Sequence, residues 1–321
     1  MKKPSDELPY HVRQLQALVA RFTGPAKKKE ELQQQLNYYL TGHRGEREVD
    51  YHLSYMPRDD IAIIKNLRLN DGLHHFELDR IVITPGTLLM LEVKHISGIV
   101  KIHSKLHQMT RKTPTGELQR FSDPVTQAER HYKQLQEWFR YRKWPSVPVE
   151  KQIIFSSPNV ILDVEDADEN FFKNACLIER VPQRLTALTQ KHPQQVFTRS
   201  QMIRMEKNLN DAHEKLVQNV FEVYHVLPNQ IVTGVQCPKC ERYGMIWKMG
   251  QWHCPICHHR SKTAHAEALK HYALLFKSTI TNQECRAFLR IASESVTRKM
   301  LQKMNLPATG STKGTLYHLP T

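Results

Sequence analysis

The run Leu88-Leu89-Met90-Leu91-Glu92-Val93-Lys94 constrains this chain more than any other segment. Side chains alternate along a strand, so Glu92 and Lys94 share a face with Leu88 and Met90, while Leu89, Leu91 and Val93 share the other. Ile81-Val82-Ile83 just before it is equally apolar on both faces. Such runs belong to inner strands covered on both sides, where unpaired charge is costly. A carboxylate and an ammonium kept there point to chemistry. An exposed edge hairpin carrying a cross-strand salt-bridge cluster is the structural alternative, and the apolar neighbours argue against it.

The two runs are joined by Thr84-Pro85-Gly86-Thr87, a turn signal that fits a type II turn. If Pro85-Gly86 is the two-residue loop, residues pair when their numbers sum to 171, which sets Asp79 opposite Glu92. Opposed Cβ atoms lie about 4.5–5.5 Å apart, close enough for both carboxylates to share one divalent ion. Mg²⁺ commonly takes one or two protein carboxylates and fills its remaining positions with water and phosphate oxygen.

Around this centre the pattern changes along the chain. Leu8, Val12, Leu15, Val19 and Phe22, then Leu32, Leu36 and Leu40, recur at helical spacing and read as a helical lead-in over residues 1–41. The basic run Lys27-Lys28-Lys29 reads as a solvated connector or a phosphate contact. Residues 61 to 102 read as strands. After Ser122-Asp123-Pro124 a helix is expected, with Asp or Ser as N-cap and proline at its first position. QIIF at 152 to 155 and ACLIE at 175 to 179 read as buried strands, with helices after Val181 and from about Arg199 to Tyr224. Strands flanked by helices predict an α/β or α+β domain over 42–228, with a mixed sheet.

The ordered motifs Gly42-x-x-Gly45-Glu46, Glu77-Leu78-Asp79, Glu92-Val93-Lys94 followed by Gly98, and Asp123-Pro124-x-x-Gln127 resemble the nuclease-related domain family. This family is a branch of the PD-(D/E)xK nuclease superfamily, and the resemblance covers roughly residues 42 to 140. It implies a restriction-endonuclease-like core in which Asp79 and Glu92 bind catalytic Mg²⁺ (or Mn²⁺), helped by the Val93 carbonyl. It further implies that Lys94 orients or polarises the attacking water, that Glu46 supports the metal from a helix, and that Gln127 positions the site. His131 and Tyr132 fall one turn beyond Gln127, where phosphate contact and helix packing compete. The chain departs from the family pattern at Arg80 and His95, where relatives often carry His and Asn. Those positions bear on substrate preference more than on metal binding.

Two Cys-x-x-Cys pairs, Cys237/Cys240 and Cys254/Cys257, have the spacing of a tetrahedral zinc site, and a ribbon is expected over 234–262. Four thiolates close the shell, so this Zn²⁺ is structural. The ribbon resembles those appended to bacterial topoisomerases. Trp247, Lys248 and Trp252 could stack on bases, with burial of the tryptophans as the competing reading. Cys176 and Cys285 read as small buried thiols.

Residues 264–321 read as a basic helical module. Thr281-x-x-Glu284 opens one helix as a capping box, Ser293 or Ser295 caps a second, and LPATGSTKGTLYHL follows as a short hairpin. The arrangement resembles a winged helix-turn-helix whose second helix carries Arg298, Lys299 and Lys303 towards nucleic acid. A protein-docking surface is the alternative. Residues 228–321 hold 13 Lys+Arg against 4 Asp+Glu, and the whole chain carries 46 against 32, a net +14 that favours polyanionic partners. No apolar run reaches membrane length and the N-terminus lacks a signal-like stretch, so a cytoplasmic protein is expected. The reading is a Mg²⁺-dependent nuclease acting on DNA. The alternatives are a non-catalytic DNA-binding or regulatory protein that keeps the fold, and an RNA-directed nuclease.

Overall fold

A computed structural model of the chain describes residues 7–56, 61–113, 115–144, 147–311 and 314–320. Thr312 and Lys313 of the expected C-terminal hairpin lie outside the described residues. The chain divides into two compact units, one built on Tyr38–Leu216 and the other on Leu8–Asn37 with Val217–Thr321. Its first helices are α1 (Tyr10–Arg21) and α2 (Ala26–Leu53). Helix α2 takes in the Lys27–Lys29 run, which is therefore helical and not a connector between helices.

The first unit continues α2 with β1 (Ala62–Asn70), β2 (His75–Ile83), β3 (Leu88–Lys94), β4 (Gly98–His103), β5 (Gln108–Lys112) and β6 (Leu118–Ser122). Next come α3 (Pro124–Tyr141), β7 (Val149–Phe155), β8 (Val160–Asp163), α4 (Glu169–Asn174), β9 (Ala175–Leu177), α5 (Val181–Gln190) and α6 (Arg199–Asp211). The main sheet is mixed, in the order β1-β2-β3-β7-β9: β1 to β3 form an antiparallel meander, and β7 and β9 run parallel to β3. A second sheet, β6-β5-β4-β8, stands apart from it.

Alternation along β3 explains the layers. Leu88 and Met90 join a core with Val125, Ala128 and Leu135 of α3 and Met202, Met205 and Leu209 of α6. Leu89 and Leu91 join another with Val49 and Leu53 of α2 and Val181 and Leu185 of α5. This is the doubly covered α/β architecture expected for strands apolar on both faces.

Three segments differ from the sequence expectation, each for a local reason. Strands β5 and β6, reading QMTRK and LQRFS, are too polar to stand out, and pairing with β4 makes them strands. Helix α6 stops at Asp211 because the chain turns to the edge of β1, where Arg68 N–H donates to His213 Nδ1 at 3.1 Å and Glu214 N–H to the Arg68 carbonyl at 2.9 Å. Gly86 is not in the positive-φ region a type II turn requires. It is glycine because a Cβ there would lie 2.1 Å from the His192 carbonyl oxygen.

The second unit adds α7 (Val220–Val223), β10 (Ile246–Lys248), β11 (Gln251–His253), β12 (Arg260–Ser261) and α8 (His265–Leu275). It ends with β13 (Thr279–Ile280), α9 (Asn282–Leu289), α10 (Glu294–Lys303), β14 (Ala308–Thr309) and β15 (Leu316–His318). The order α8-β13-α9-α10-β14-β15, with strands arranged β13-β15-β14, is that of a winged helix. Thr281 and Glu284 form the expected capping box, and Ser293 caps α10. One core joins Cys237, Trp252 and Cys254 of the ribbon to Leu269, Phe288 and Leu301 of the winged helix. Helix α1 is tied in by Arg21, 1% exposed, which donates to His271 Nδ1 and to the carbonyls of Val232 and Gly234 and lies 4.7 Å over the Phe288 ring.

Candidate active site and metal centre

Strands β2 and β3 pair Ile83 with Leu88, Ile81 with Met90 and Arg80 with Leu91, so each pair sums to 171 as the Pro85-Gly86 loop predicts. Ladder pairing ends at Arg80–Leu91. One residue on, Asp79 Oδ2 accepts the Val93 N–H at 2.7 Å, so a side chain takes up the backbone donor where the ladder stops. Burial together with the negative charges of Glu92 and Glu46 pushes the Asp79 carboxyl well above the usual carboxylate range.

Glu92 is 5% exposed and surrounded by donors. Its Oε1 accepts from Lys94 Nζ at 2.8 Å and from Gln127 Nε2 at 2.7 Å, and Lys94 also donates to Gln127 Oε1 at 2.8 Å. The three side chains close a ring. His131, 7% exposed and one helical turn after Gln127, brings Nδ1 to 3.4 Å from Glu92 Oε2 without the alignment of a hydrogen bond. Burial drives the Glu92 carboxyl up, but His131 and Lys94 outweigh it and hold the carboxyl below its ordinary value. Burial also works against the Lys94 ammonium, yet Glu92, with Asp79 beyond it, raises that pKa above the ordinary lysine range.

The helical supports follow from local sequence. Asp123 caps α3 by accepting from Thr126 N at 2.9 Å, and Pro124 occupies the first turn. That start places Gln127 and His131, four residues apart on one face, against Glu92. On α2, a Cβ at Gly45 would lie 2.4 Å from His95 Cβ and 2.5 Å from Ser156 Oγ, so glycine allows the helix to press onto the ends of β3 and β7. His95 itself pairs with Ser156 at 3.0 Å, away from the carboxylates.

Glu46, next after Gly45, bonds Arg80 and not Asp79 or Glu92. Arg80 is 1% exposed; its Nη1 donates to Glu46 Oε2 at 2.9 Å, and its Nε and Nη2 hold both oxygens of Asp50 at 2.7 and 3.1 Å. Sequence reading placed Arg80 at the margin of the site. The structure makes it the link between α2 and β2. Its signal lay in Arg80 following Asp79 at the head of the apolar run Ile81-Val82-Ile83, facing the Glu46/Asp50 side of α2.

The donor set fits a divalent cation of the oxygen-preferring kind. Asp79 Oδ1 takes no hydrogen bond among the described residues, and Glu92 Oε2 has only the His131 approach, so each carboxylate keeps one oxygen uncommitted. Burial and the neighbouring negative charges raise the Asp79 carboxyl, a crowding of charge that a divalent cation would relieve.

In the second unit Cys237, Cys240, Cys254 and Cys257 bring their sulfurs within 4.8 Å of one another, the one such group of three or more ligand residues among the described residues. Backbone N–H groups of Cys257 and Ile256 hold the Cys254 thiol down to about 6. The His259 N–H favours the Cys257 thiolate, but burial and the crowded sulfurs push that thiol up to about 12. Four sulfurs at this spacing suit one tetrahedral Zn²⁺. Trp252 is 1% exposed and donates its Nε1–H to His265 Nδ1 at 3.1 Å, so it belongs to the core and offers no surface for base stacking. Burial lowers the His265 pKa to about 4, which keeps that nitrogen an acceptor. Trp247 is half-buried against Trp252. Cys285 is fully buried in the same core, and Cys176 is half-buried in the first unit.

Helix α10 turns Thr297, Met300 and Leu301 inward and leaves Arg298, Lys299 and Lys303 exposed. Among the described residues no helix is long and apolar enough to cross a membrane.

Residues 41–156 match the family model described as nuclease-related domain, a span that contains Glu46, Asp79, Glu92, Lys94 and Gln127. No curated protein and no solved structure matches the chain.

Proposed function

We propose that this protein is a metal-dependent nuclease that hydrolyses phosphodiester bonds of DNA, with Asp79 and Glu92 holding Mg²⁺ or Mn²⁺ and Lys94 as the activating cation. The observation that carries the reading is the placing of Asp79 and Glu92 where the β2–β3 ladder stops, near enough for Glu92 to raise the Asp79 carboxyl, with Lys94 held against Glu92 and Gln127. A divalent ion bound there supplies positive charge for the phosphate and lowers the pKa of a water nucleophile. Lys94, kept charged by Glu92, steadies the negative charge that develops on phosphate oxygens. Gln127 and His131 fix the Glu92 carboxylate, and Gln127 also fixes the Lys94 ammonium. Arg80 holds Glu46 beside them, where it bears on charge and water without competing for the ion.

The four cysteines hold a structural Zn²⁺, and the winged helix brings Arg298, Lys299 and Lys303 to the nucleic acid. A non-catalytic DNA-binding role is the second reading, favoured by that exposed basic helix. The test incubates the purified chain with plasmid, linear duplex, single-stranded DNA and RNA, in Mg²⁺ or EDTA, beside Asp79→Ala and Lys94→Ala. Mg²⁺-dependent cutting of DNA that both variants lose supports the reading. Substrates left intact, or variants that cut as well as the parent, overturn it, and preferential cutting of RNA reassigns the substrate.

A further inference from the structure

Helix α2 carries two glycines one turn apart, and internal packing explains only one of them. Gly45 is needed because a Cβ there would collide with His95 and Ser156, whereas a Cβ at Gly42 would meet no described atom within 4 Å. Glycine in a helix interior is less stable than alanine. Gly42 therefore weakens α2 without any contact among the described residues that requires it. Outside turns, glycine serves where a ligand or another backbone comes close.

The position of Gly42 says which ligand. Gly42, Gly45 and Glu46 fall at i, i+3 and i+4, so they share one helix face. The open surface at Gly42 is thus continuous with the residue that bonds Arg80 next to Asp79. One turn earlier stands Tyr38, 66% exposed and near enough for its phenol to act on the Lys94 ammonium. An exposed ring there suits a base lifted from its stack.

We propose that Gly42 is the clearance point at which the sugar–phosphate backbone of the substrate strand passes against helix α2, with Tyr38 one turn earlier on the same face to receive a base. The inference rests on the nuclease reading above and adds the path by which a strand reaches Glu92 and Lys94. A side chain at 42 would lift the strand off the helix, and a displacement of about 1 Å at a reacting phosphate costs up to about a hundredfold in rate.

The experiment uses the full chain as parent, Gly42→Ala, Gly42→Leu and, as a control for bulk on the same helix, Thr41→Leu at the exposed neighbouring position. Melting temperature, single-turnover cleavage of labelled DNA and RNA oligonucleotides, and anisotropy binding in EDTA are read together. Binding is measured in an Arg298→Ala, Lys299→Ala background so that helix α10 does not mask the effect. The expected result is an unchanged or higher melting temperature for both Gly42 variants, with cleavage and binding weakened several-fold by alanine and at least about tenfold by leucine. Thr41→Leu should behave as the parent. Gly42→Leu that binds and cuts like the parent, or Thr41→Leu that loses as much, overturns the inference and leaves the nuclease reading intact. A parent that binds DNA or RNA without cutting it fails that reading, while the binding comparison still decides the role of Gly42. A parent that neither binds nor cuts overturns both.

Discussion

Asp79 Oδ2 accepts the Val93 N–H at 2.7 Å at the point where pairing between β2 and β3 ends. The bond holds Asp79 in place although Glu92 and Glu46 repel its charge. Bond and repulsion are separable, because an asparagine keeps the acceptor and drops the charge.

Asp79→Asn is therefore expected to stabilise the metal-free protein by about 1 kcal/mol at neutral pH, the scale of a like-charge cross-strand pair, while abolishing cleavage. The sign with pH follows from the raised folded pKa. Protonated Asp79 supports the fold fully below its unfolded value, near 3.8, and that support is lost as pH rises through the higher folded value. The advantage of Asn should thus vanish in acid and grow towards neutrality. Thermal melts from pH 4 to 8, with and without Mg²⁺, check it: Mg²⁺ should raise the melting temperature of the parent and leave Asp79→Asn unmoved.

Arg80 is the next test, because it is buried between two carboxylates of one helix. Asp50 also has Lys65 at 2.8 Å, whereas Glu46 has only a 4.0 Å approach from His43 as its other ion-pair contact among the described residues. Arg80→Met should cost about 3–5 kcal/mol, mostly from the charge left on Glu46. Adding Glu46→Gln should return part of that loss, a non-additivity visible in urea unfolding of the single and double variants. Strict additivity would show that the two residues do not act as a pair.

What could be read from residue order here was whatever a local rule determines. Loop length set the register of β2 on β3, Asp123-Pro124 set the start of α3, and cysteine spacing set the four-sulfur cluster. The partners of Glu92 split along the same line. Lys94 was visible as its i+2 neighbour on a strand, and Gln127 came from family resemblance. The closeness of His131 needed α3 to be docked. Arg80 looked marginal because a strand pattern does not say which helix covers the strand's other face. Pairing of β4 with β8, and the place of α1 beside the ribbon through Arg21, depend on contacts distant in sequence that no periodicity encodes.

The shared core of the ribbon and winged helix makes metal loss a global event for the second unit. Cys237 and Cys254 are packed in the same cluster as Leu269, Phe288 and Leu301. Cys254→Ser, or a strong chelator, is expected to release one Zn²⁺ per chain and to lower the melting of α8 to α10 along with the ribbon. Metal analysis and Trp247/Trp252 fluorescence followed through thermal unfolding read both effects. A ribbon that melts while the winged helix keeps its transition would show that the two are energetically separate.

Helix α10 makes a prediction about salt. Arg298, Lys299 and Lys303 are exposed on the helix proposed to meet nucleic acid, and phosphate contacts by such side chains release counterions. Replacing Arg298 and Lys299 by alanine should reduce the slope of log affinity against log salt by roughly 2, close to 0.9 for each lost phosphate contact on duplex DNA. The fold should hold, since neither side chain enters the core formed by Met300 and Leu301. Anisotropy titrations from 50 to 300 mM salt on the Asp79→Asn background keep the DNA uncut while the slope is measured. An unchanged slope would move the phosphate contacts off α10 and leave its basic face to a protein partner.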